Sequence, residues 1–327
     1  MSIRSFVQGA AEFLCLVVLF LTPSCASSPA TDLTSIRLAT LSTPPANFMA
    51  LLTDTSGTVT NIKEFRVFVE SEGKDLSFRR YGGFSTDEDD IYRYPRSIPI
   101  RQGDIVTFIY LDRISEYHLV GGRAILVLDT GERIAGAPLG ECYFHDGFPF
   151  DEATAVQAQK VKTLKFNIVE VKQFAAAETA DIATRDATFV NRYPWPTKFT
   201  LKADITLSSG KSLTLHNLAL VYLEVGQDTS WSPSITYGRW KITDGKILYT
   251  YTATGAEINL SQIKTITFGS PAKWMPDDYP VKMEFQSGEQ FSTKLGVQQG
   301  LAFLGTVPNG YAHVPFRAIK SVAISHE

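Results

Sequence analysis

Three cysteines stand in 327 residues, and two of them, Cys15 and Cys25, fall within the first thirty. Cys142 is then left without a partner, which excludes a disulfide framework and any metal centre built from several thiolates. Charge is scarce as well. Thirty-one Lys and Arg against 34 Asp and Glu give a net charge of −3, so no basic field exists to neutralise phosphates, and nucleic acid is not an expected partner. Long apolar runs are missing. The opening run, Phe13 to Leu21, has nine residues, well short of the ~20 a helix needs to cross a bilayer. The five histidines show no i, i+4 pair flanking a carboxylate, no Gly-x-Ser-x-Gly occurs, and the "SSGKS" stretch lacks the upstream glycine of a phosphate loop. Zinc hydrolase, serine hydrolase of that type and nucleotide-binding chemistry are without support, and no metal or cofactor is expected.

What is present begins with an export signal: Arg4, then the apolar run, then small and polar residues. Cys25 follows Leu21-Thr22-Pro23-Ser24, which resembles the lipobox of bacterial lipoproteins, although that family places its leucine three residues before the cysteine and here it stands four before. The resemblance implies lipidation of Cys25 and a membrane anchored through lipid. With Ala26 next, it implies an outer-membrane lipoprotein facing the periplasm or the cell surface. The competing reading is ordinary cleavage after Ala26, which leaves a periplasmic or secreted chain. Residues 1–24 are read as the signal and 25–45, rich in Ser, Thr, Ala and Pro, as a tether.

Beyond the tether, apolar and polar residues alternate with period two, as in "FRVFVE", "RAILVLD" and "KMEFQSGEQFSTKL", the mark of strands with one buried face. Thr130-Gly131, Ser209-Gly210 and Ser287-Gly288 read as turns, and Asp244-Gly245 as the tight turn of a hairpin "WKITDGKILY". One phrase recurs: apolar-x-apolar-x-x-apolar-Lys-(Thr/Ser)-apolar-x-apolar, at Val156 to Phe166, Ile258 to Phe268 and Val314 to Ile324. A weaker copy is read at Ile98 to Phe108. From the preceding turn glycine to the lysine position the separations are 31 (Gly73 to Asp104), 31 (Gly131 to Lys162), 54 (Gly210 to Lys264) and 32 (Gly288 to Lys320). Such spacing marks a repeated unit, with an insertion in the third copy. The step between its two alternating stretches reads as a corner of one helical turn plugged by the middle apolar residue.

A Gly-turn hairpin followed by strand, corner and strand resembles the small SH3-like and Sm-like barrels, in which a short 3₁₀ turn joins the last two strands. The resemblance covers roughly residues 64–108, 123–166, 201–268 and 280–324. It implies an all-β chain of tandem small barrel or sandwich modules in two domains and carries over no catalytic residue. The expected domains are 46–172 and 197–327. Between them lies a linker, 173–196, with a short helix over the Ala-rich stretch Phe174 to Arg185 before "YPWP" stops anything regular.

For chemistry, "GECYFHDGFPF" offers Glu141, Cys142, His145 and Asp146. A thiolate nucleophile needs a base within reach, but residues three apart in a strand face opposite ways, so Cys142 reads as a core residue. "STDEDD" supplies four carboxylates without the spacing of a calcium loop. Aromatics are more suggestive. Trp231, Tyr237 and Trp240 in the inserted loop, with Trp274 beyond it, lie near Pro and polar loop residues, where such rings stack on sugars or anchor a protein partner. The expectation is a non-enzymatic binding or structural component of a bacterial envelope, partnered by an envelope protein or glycan. The alternatives are an envelope hydrolase acting on polysaccharide or peptide, and a carbohydrate-binding module protein.

Overall fold

A computed structural model describes residues 32–41, 48–69, 97–140, 142–147, 153–173, 200–228, 235–243, 248–249, 257–271, 278–296 and 302–327. Contacts divide the chain into residues 1–36, within which Asp32 accepts the Thr34 amide at 3.0 Å, and a unit spanning residues 37–327. The latter is all-β, and its four modules are each closed by the same corner.

The first module runs β1 (Ala50–Asp54), β2 (Val59–Ile62), β3 (Phe65–Val69), β4 (Ser97–Gln102), β5 (Ile105–Tyr110), a 3₁₀ turn Leu111–Arg113 and β6 (Ile114–Val120). The second runs β7 (Arg123–Leu128), β8 (Arg133–Pro138), β9 (Cys142–Asp146), β10 (Val156–Gln157), a 3₁₀ turn Ala158–Lys160 and β11 (Val161–Phe166). The third runs β12 (Leu201–Leu207), β13 (Ser212–Asp228), β14 (Ile235–Thr243), β15 (Leu248–Tyr249), β16 (Glu257–Ile258), a 3₁₀ turn Leu260–Gln262 and β17 (Ile263–Phe268). The fourth runs β18 (Asp278–Phe285), β19 (Gln290–Gly296), β20 (Ala302–Val307), β21 (Gly310–Pro315), a 3₁₀ turn Phe316–Ala318 and β22 (Ile319–His326).

The recurring phrase is this corner. Its third, sixth and ninth residues are at most 2% exposed in all four modules: Leu111, Ile114 and Tyr117; Ala158, Val161 and Leu164; Leu260, Ile263 and Ile266; Phe316, Ile319 and Val322. Burying the aliphatic side chains among them stabilises the fold by about 1.5–3 kcal/mol each. In every copy the sixth residue's amide donates back to the third residue's carbonyl. In every copy, too, the carbonyl of the fifth residue (Arg113, Lys160, Gln262 or Ala318) accepts an amide just past a hairpin strand, from Asp129, Thr55, Gln286 or Ser208 at 2.8–2.9 Å. The seventh residue is a β-bulge. Pairing skips Ser115, Lys162, Lys264 and Lys320 between their neighbours and β7, β1, β18 and β12. The bulge bends the strand and leaves the side chain facing outward, where a lysine keeps its charge in water.

Two expectations change here. The first corner lies at Ile109 to Leu119, not at Ile98 to Phe108, which is instead the β4–β5 hairpin turning at Gly103. Its turn glycine is Gly57, whose φ of 92° matches Gly131, Gly210 and Gly288 at 83–86°, a left-handed conformation that glycine adopts without steric cost. Gly73 lies outside the described residues. Measured from Gly57 to Ser115 the first spacing is 58, so the four read 58, 31, 54 and 32. Long modules alternate with short ones, and the chain is a duplicated pair. The hairpin expected around Asp244-Gly245 is the second change. Its described arms lie in other pairings, Leu220–Asp228 with Ile235–Thr243 and Leu248–Tyr249 with Glu257–Ile258, and the turn itself lies outside the described residues.

Within each pair the modules interleave. The closing strands meet antiparallel at the same phrase position, Tyr117 opposite Leu164 and Ile266 opposite Val322, so each pair has a local pseudo-twofold axis at its ninth residues. The sheets are then β1–β11–β6–β7 and β12–β22–β17–β18. Other strands also cross between the partners of a pair, β8 pairing with β4, β3 with β9 and β13 with β20. One core gathers mainly residues 49–171 and the other residues 201–324. Six residues, 168–173, are helical after β11, and buried Val171 joins the first core. The Ala-rich stretch expected to be helical lies outside the described residues.

The pairs join edge to edge. β21 pairs with β5, Gly310 to His313 opposite Ile109 to Val106. Phe108 and Tyr311 stack there with centroids 4.6 Å apart. A Cβ on Gly310 would sit 1.8 Å from the Phe108 carbonyl oxygen, so only glycine lets the strands meet.

Candidate functional site

The third module carries the longest described strand, and β13 shows how its ribbon is built. Its alternating sequence pairs first with β12 through Ser212 to Leu215. At Asn217, with φ 50°, the strand bulges between His216 and Ala219, both of which pair with β20. Asn217 is the one described non-glycine residue with positive φ, a conformation asparagine tolerates better than most. Three bonds fix it. The Asn217 side-chain amide donates to Thr306 Oγ1 at 3.0 Å, the Asn217 backbone amide donates to Glu327 Oε1 at 3.2 Å, and the Thr306 hydroxyl donates to the His216 carbonyl at 3.2 Å. Past the bulge, Leu220 to Asp228 pair with β14 over nine positions, Tyr237 opposite Gly226 and Trp240 opposite Leu223. Among the described strands β14 has no second neighbour. Trp231 and Trp274 lie outside the described residues, as does Cys25.

Beside the bulge is a cleft of about 550 Å³ lined by Leu213, Thr214, His216, Thr306, Val307 and Pro308. His216 Nδ1 lies 2.8 Å from Glu327 Oε1. The Thr306 hydroxyl is already engaged by Asn217 and the His216 carbonyl. The cleft therefore offers a half-exposed imidazole held by a carboxylate, with apolar walls. A second cleft of about 470 Å³ lies against Asp54, Ser56, Tyr143, Gln157 and Lys160. There the Ser56 hydroxyl, followed by the Thr58 and Ser56 amides, lowers the Asp54 carboxyl from its ordinary range. That carboxylate caps the β1–β2 turn.

The thiol constellation is dismantled by its own strand. Cys142 and His145 stand three apart on β9 opposite Val69 and Arg66, on opposite faces. Burial drives the Cys142 thiol far above its ordinary range, so it stays protonated. His145 spends one ring nitrogen on the Gly147 carbonyl and the other on the Thr154 hydroxyl, each at 3.1 Å. Asp146 accepts the Lys63 and Glu64 amides at 3.0 and 2.8 Å, holding the break between β2 and β3. Glu141 and the "STDEDD" stretch lie outside the described residues.

Two histidines that the sequence did not single out stand apart. His118 on β6 is 1% exposed, with Nε2 2.8 Å from Glu116 Oε2 and Nδ1 without a partner. His313 on β21 is 4% exposed, and its Nε2 has no partner. Burial, reinforced by the charge of Arg101, pushes the His313 imidazole down to about 4. Its sequence context, "YAHVPF", reads as an ordinary strand, so only the pairing between the halves exposes its position. Among the described residues no three His, Cys, Asp or Glu side chains converge as a metal site.

Fold and site together define an all-β chain of paired corner modules in which, among the described residues, β13 and β14 extend as one long ribbon. No protein-family model matches the chain, nor does any curated protein or solved structure.

Proposed function

We propose that this chain is an exported, lipid-anchored component of a bacterial cell envelope that binds or scaffolds rather than catalyses, with the β13–β14 ribbon as its binding element. Its modules belong, in this reading, with the small SH3-like or Sm-like barrels. The observation that carries the proposal is the ribbon itself, nine residue pairs built onto a module whose corner and turn otherwise repeat. An insertion on a repeated scaffold commonly carries function, and two-stranded ribbons are marginal in water unless something packs on them. The committed state of Cys142, His145 and Asp146 supports the same reading, because each is engaged in packing or backbone bonding.

The test has two arms. Intact mass and membrane fractionation should show acylation at Cys25, with Cys25→Ser releasing the protein from membranes; an unmodified mature chain beginning after Ala26 overturns the anchor. A photo-crosslinking residue at Tyr237 should capture an envelope protein or retain cell-wall glycan. Replacing residues 222–241 by a short turn should abolish that capture while leaving the thermal midpoint in place. Unchanged capture removes the ribbon from the function.

A further inference from the structure

The joint between the two halves carries a group that neither half needs for its own core. A single row of directly opposed residues crosses it: Ala219 on β13, Leu304 on β20, His313 on β21, Val106 on β5, Arg101 on β4 and Ala137 on β8. Residues opposed across antiparallel strands share a face, so His313 and Arg101 project on the same side, two strands apart. Ala219, Leu304 and Val106 in this row are all buried and belong to the first core, although two of them come from the second half of the chain. His313 thus sits in a dry seam with Nε2 unpartnered.

We propose that His313 makes this seam an acid-sensitive joint, which parts when the imidazole gains a proton while each half keeps its own core. Protonation gives both ring nitrogens a hydrogen, and the one at Nε2 has no acceptor. A buried, unsatisfied cation is far costlier than a buried neutral ring. The surrounding charges do not relieve it. β20, β5 and β13 present Leu304, Val106 and Ala219 in this row, none of them titratable. On β21 itself Tyr311 shares the face, stacked on Phe108 with its hydroxyl 3.3 Å from Ser97 Oγ. β4 presents Arg101, which repels. His216, in the neighbouring row on β13, is held by Glu327 at 2.8 Å.

The sign follows from linkage. The closed seam holds the imidazole neutral down to about pH 4, whereas an opened seam restores its ordinary value near 6.5. Between those limits the open form takes up a proton that the closed form refuses. Closure therefore weakens as pH falls from 6.5 toward 4, by about 300-fold in total, and levels off below. The loss falls on the joint because four residue pairs of β5 and β21, with Ala219, Leu304 and Tyr311 packed into the first core, hold it, whereas the remaining buried residues of each half cluster within that half.

Hydrogen exchange of the full chain at pH 7.5 and 4.5, corrected for intrinsic rates, reads the joint directly. Amides of β5 and β21 should lose protection at least tenfold at the lower pH, while β6, β11, β17 and β22 keep theirs. His313→Leu, or His313→Gln if the first does not fold, should hold the seam protected at both. Should neither variant fold, the wild-type His313 ring titration must share its midpoint with the loss of seam protection. Protection retained by wild type at pH 4.5, the same loss in the variants, or two different midpoints each overturns the proposal.

Discussion

The two halves repeat one plan inward and diverge outward. On the central sheet of the first half, one outward row runs Thr53, Thr163, His118, Ile125, and the last three are buried. The equivalent row of the second half runs Thr206, Ser321, Thr267, Lys282, and every member is at least partly exposed. The inward ninth residues are buried in both halves without exception. Duplication thus preserved the positions that hold the corner and released those that face away from it, so the outward rows decide what each half meets.

The largest expected effect tests whether the halves are joined only at their edges. Gly310→Val drives a Cβ into the Phe108 carbonyl, at a cost above about 4 kcal/mol. Because each half has its own core, the loss should separate the calorimetric transition into two rather than unfold the chain as one. A single cooperative transition shifted downward would show instead that the two cores melt together.

Next in size is a pair of truncations at the two pseudo-twofold axes. Tyr117→Ala should cost about 3–5 kcal/mol and Ile266→Ala about 2–5 kcal/mol, the range for emptying a packed site. Tyr117 should lie at the upper end, because its hydroxyl also donates to the Ala158 carbonyl at 2.9 Å, which truncation leaves unsatisfied. Chemical denaturation with a probe in each half measures both. If either variant loses less than about 1 kcal/mol, the ninth residues are not the equivalent keystones that the register implies.

A sharper contrast places the same charge at the same phrase position in each half. Thr163→Lys puts an ammonium where the native side chain is buried and should cost roughly 3 kcal/mol. Ser321→Lys meets a partly exposed surface and should stay within about 0.5 kcal/mol. Equal losses measured by urea midpoints would erase the distinction between the covered and the open face.

These contrasts also show what a single sequence can and cannot display. The corner was legible because its step of three residues between alternating stretches needs an apolar plug, and Val161, Ile263 and Ile319 supply it. The first copy misled because a β hairpin also alternates. Ile98 to Phe108 carries the right apolar spacing, yet the residue at the plug position is Gly103, which has no side chain to fill a corner. The true copy, Ile109 to Leu119, hides behind Ser115 where the others have lysine. Interleaving was not legible at all. Which closing strand pairs with which opening strand is decided by contacts such as Leu52 with Leu164, more than a hundred residues apart, and no local pattern encodes the choice. The same holds for the candidate site. The extra length of the third module could be read from spacing, although the first module shares it, but the Asn217 bulge that directs β13 into its ribbon depends on Glu327 and Thr306, far along the chain.

The smallest effect concerns the lysines that made the repeat visible. Lys162, Lys264 and Lys320 occupy bulges and are exposed. The bulge is built by the pairing of their neighbours rather than by the ammonium. Each change to Ala should therefore shift the urea midpoint by no more than about 0.5 kcal/mol. Lys264→Ala should sit at the top of that range, since its ammonium meets Glu284 at 2.8 Å on a largely solvated surface. The three lysines then mark a position where an outward side chain is needed and its charge is not, consistent with Ser115 at that position in the first copy. That serine closes the bulge differently, its hydroxyl donating to the Val127 and Leu128 carbonyls at 3.0 and 3.2 Å. Ser115→Ala should accordingly cost more than any of the lysine changes, about 1 kcal/mol, and the reverse order would mean that charge, not geometry, holds the corner.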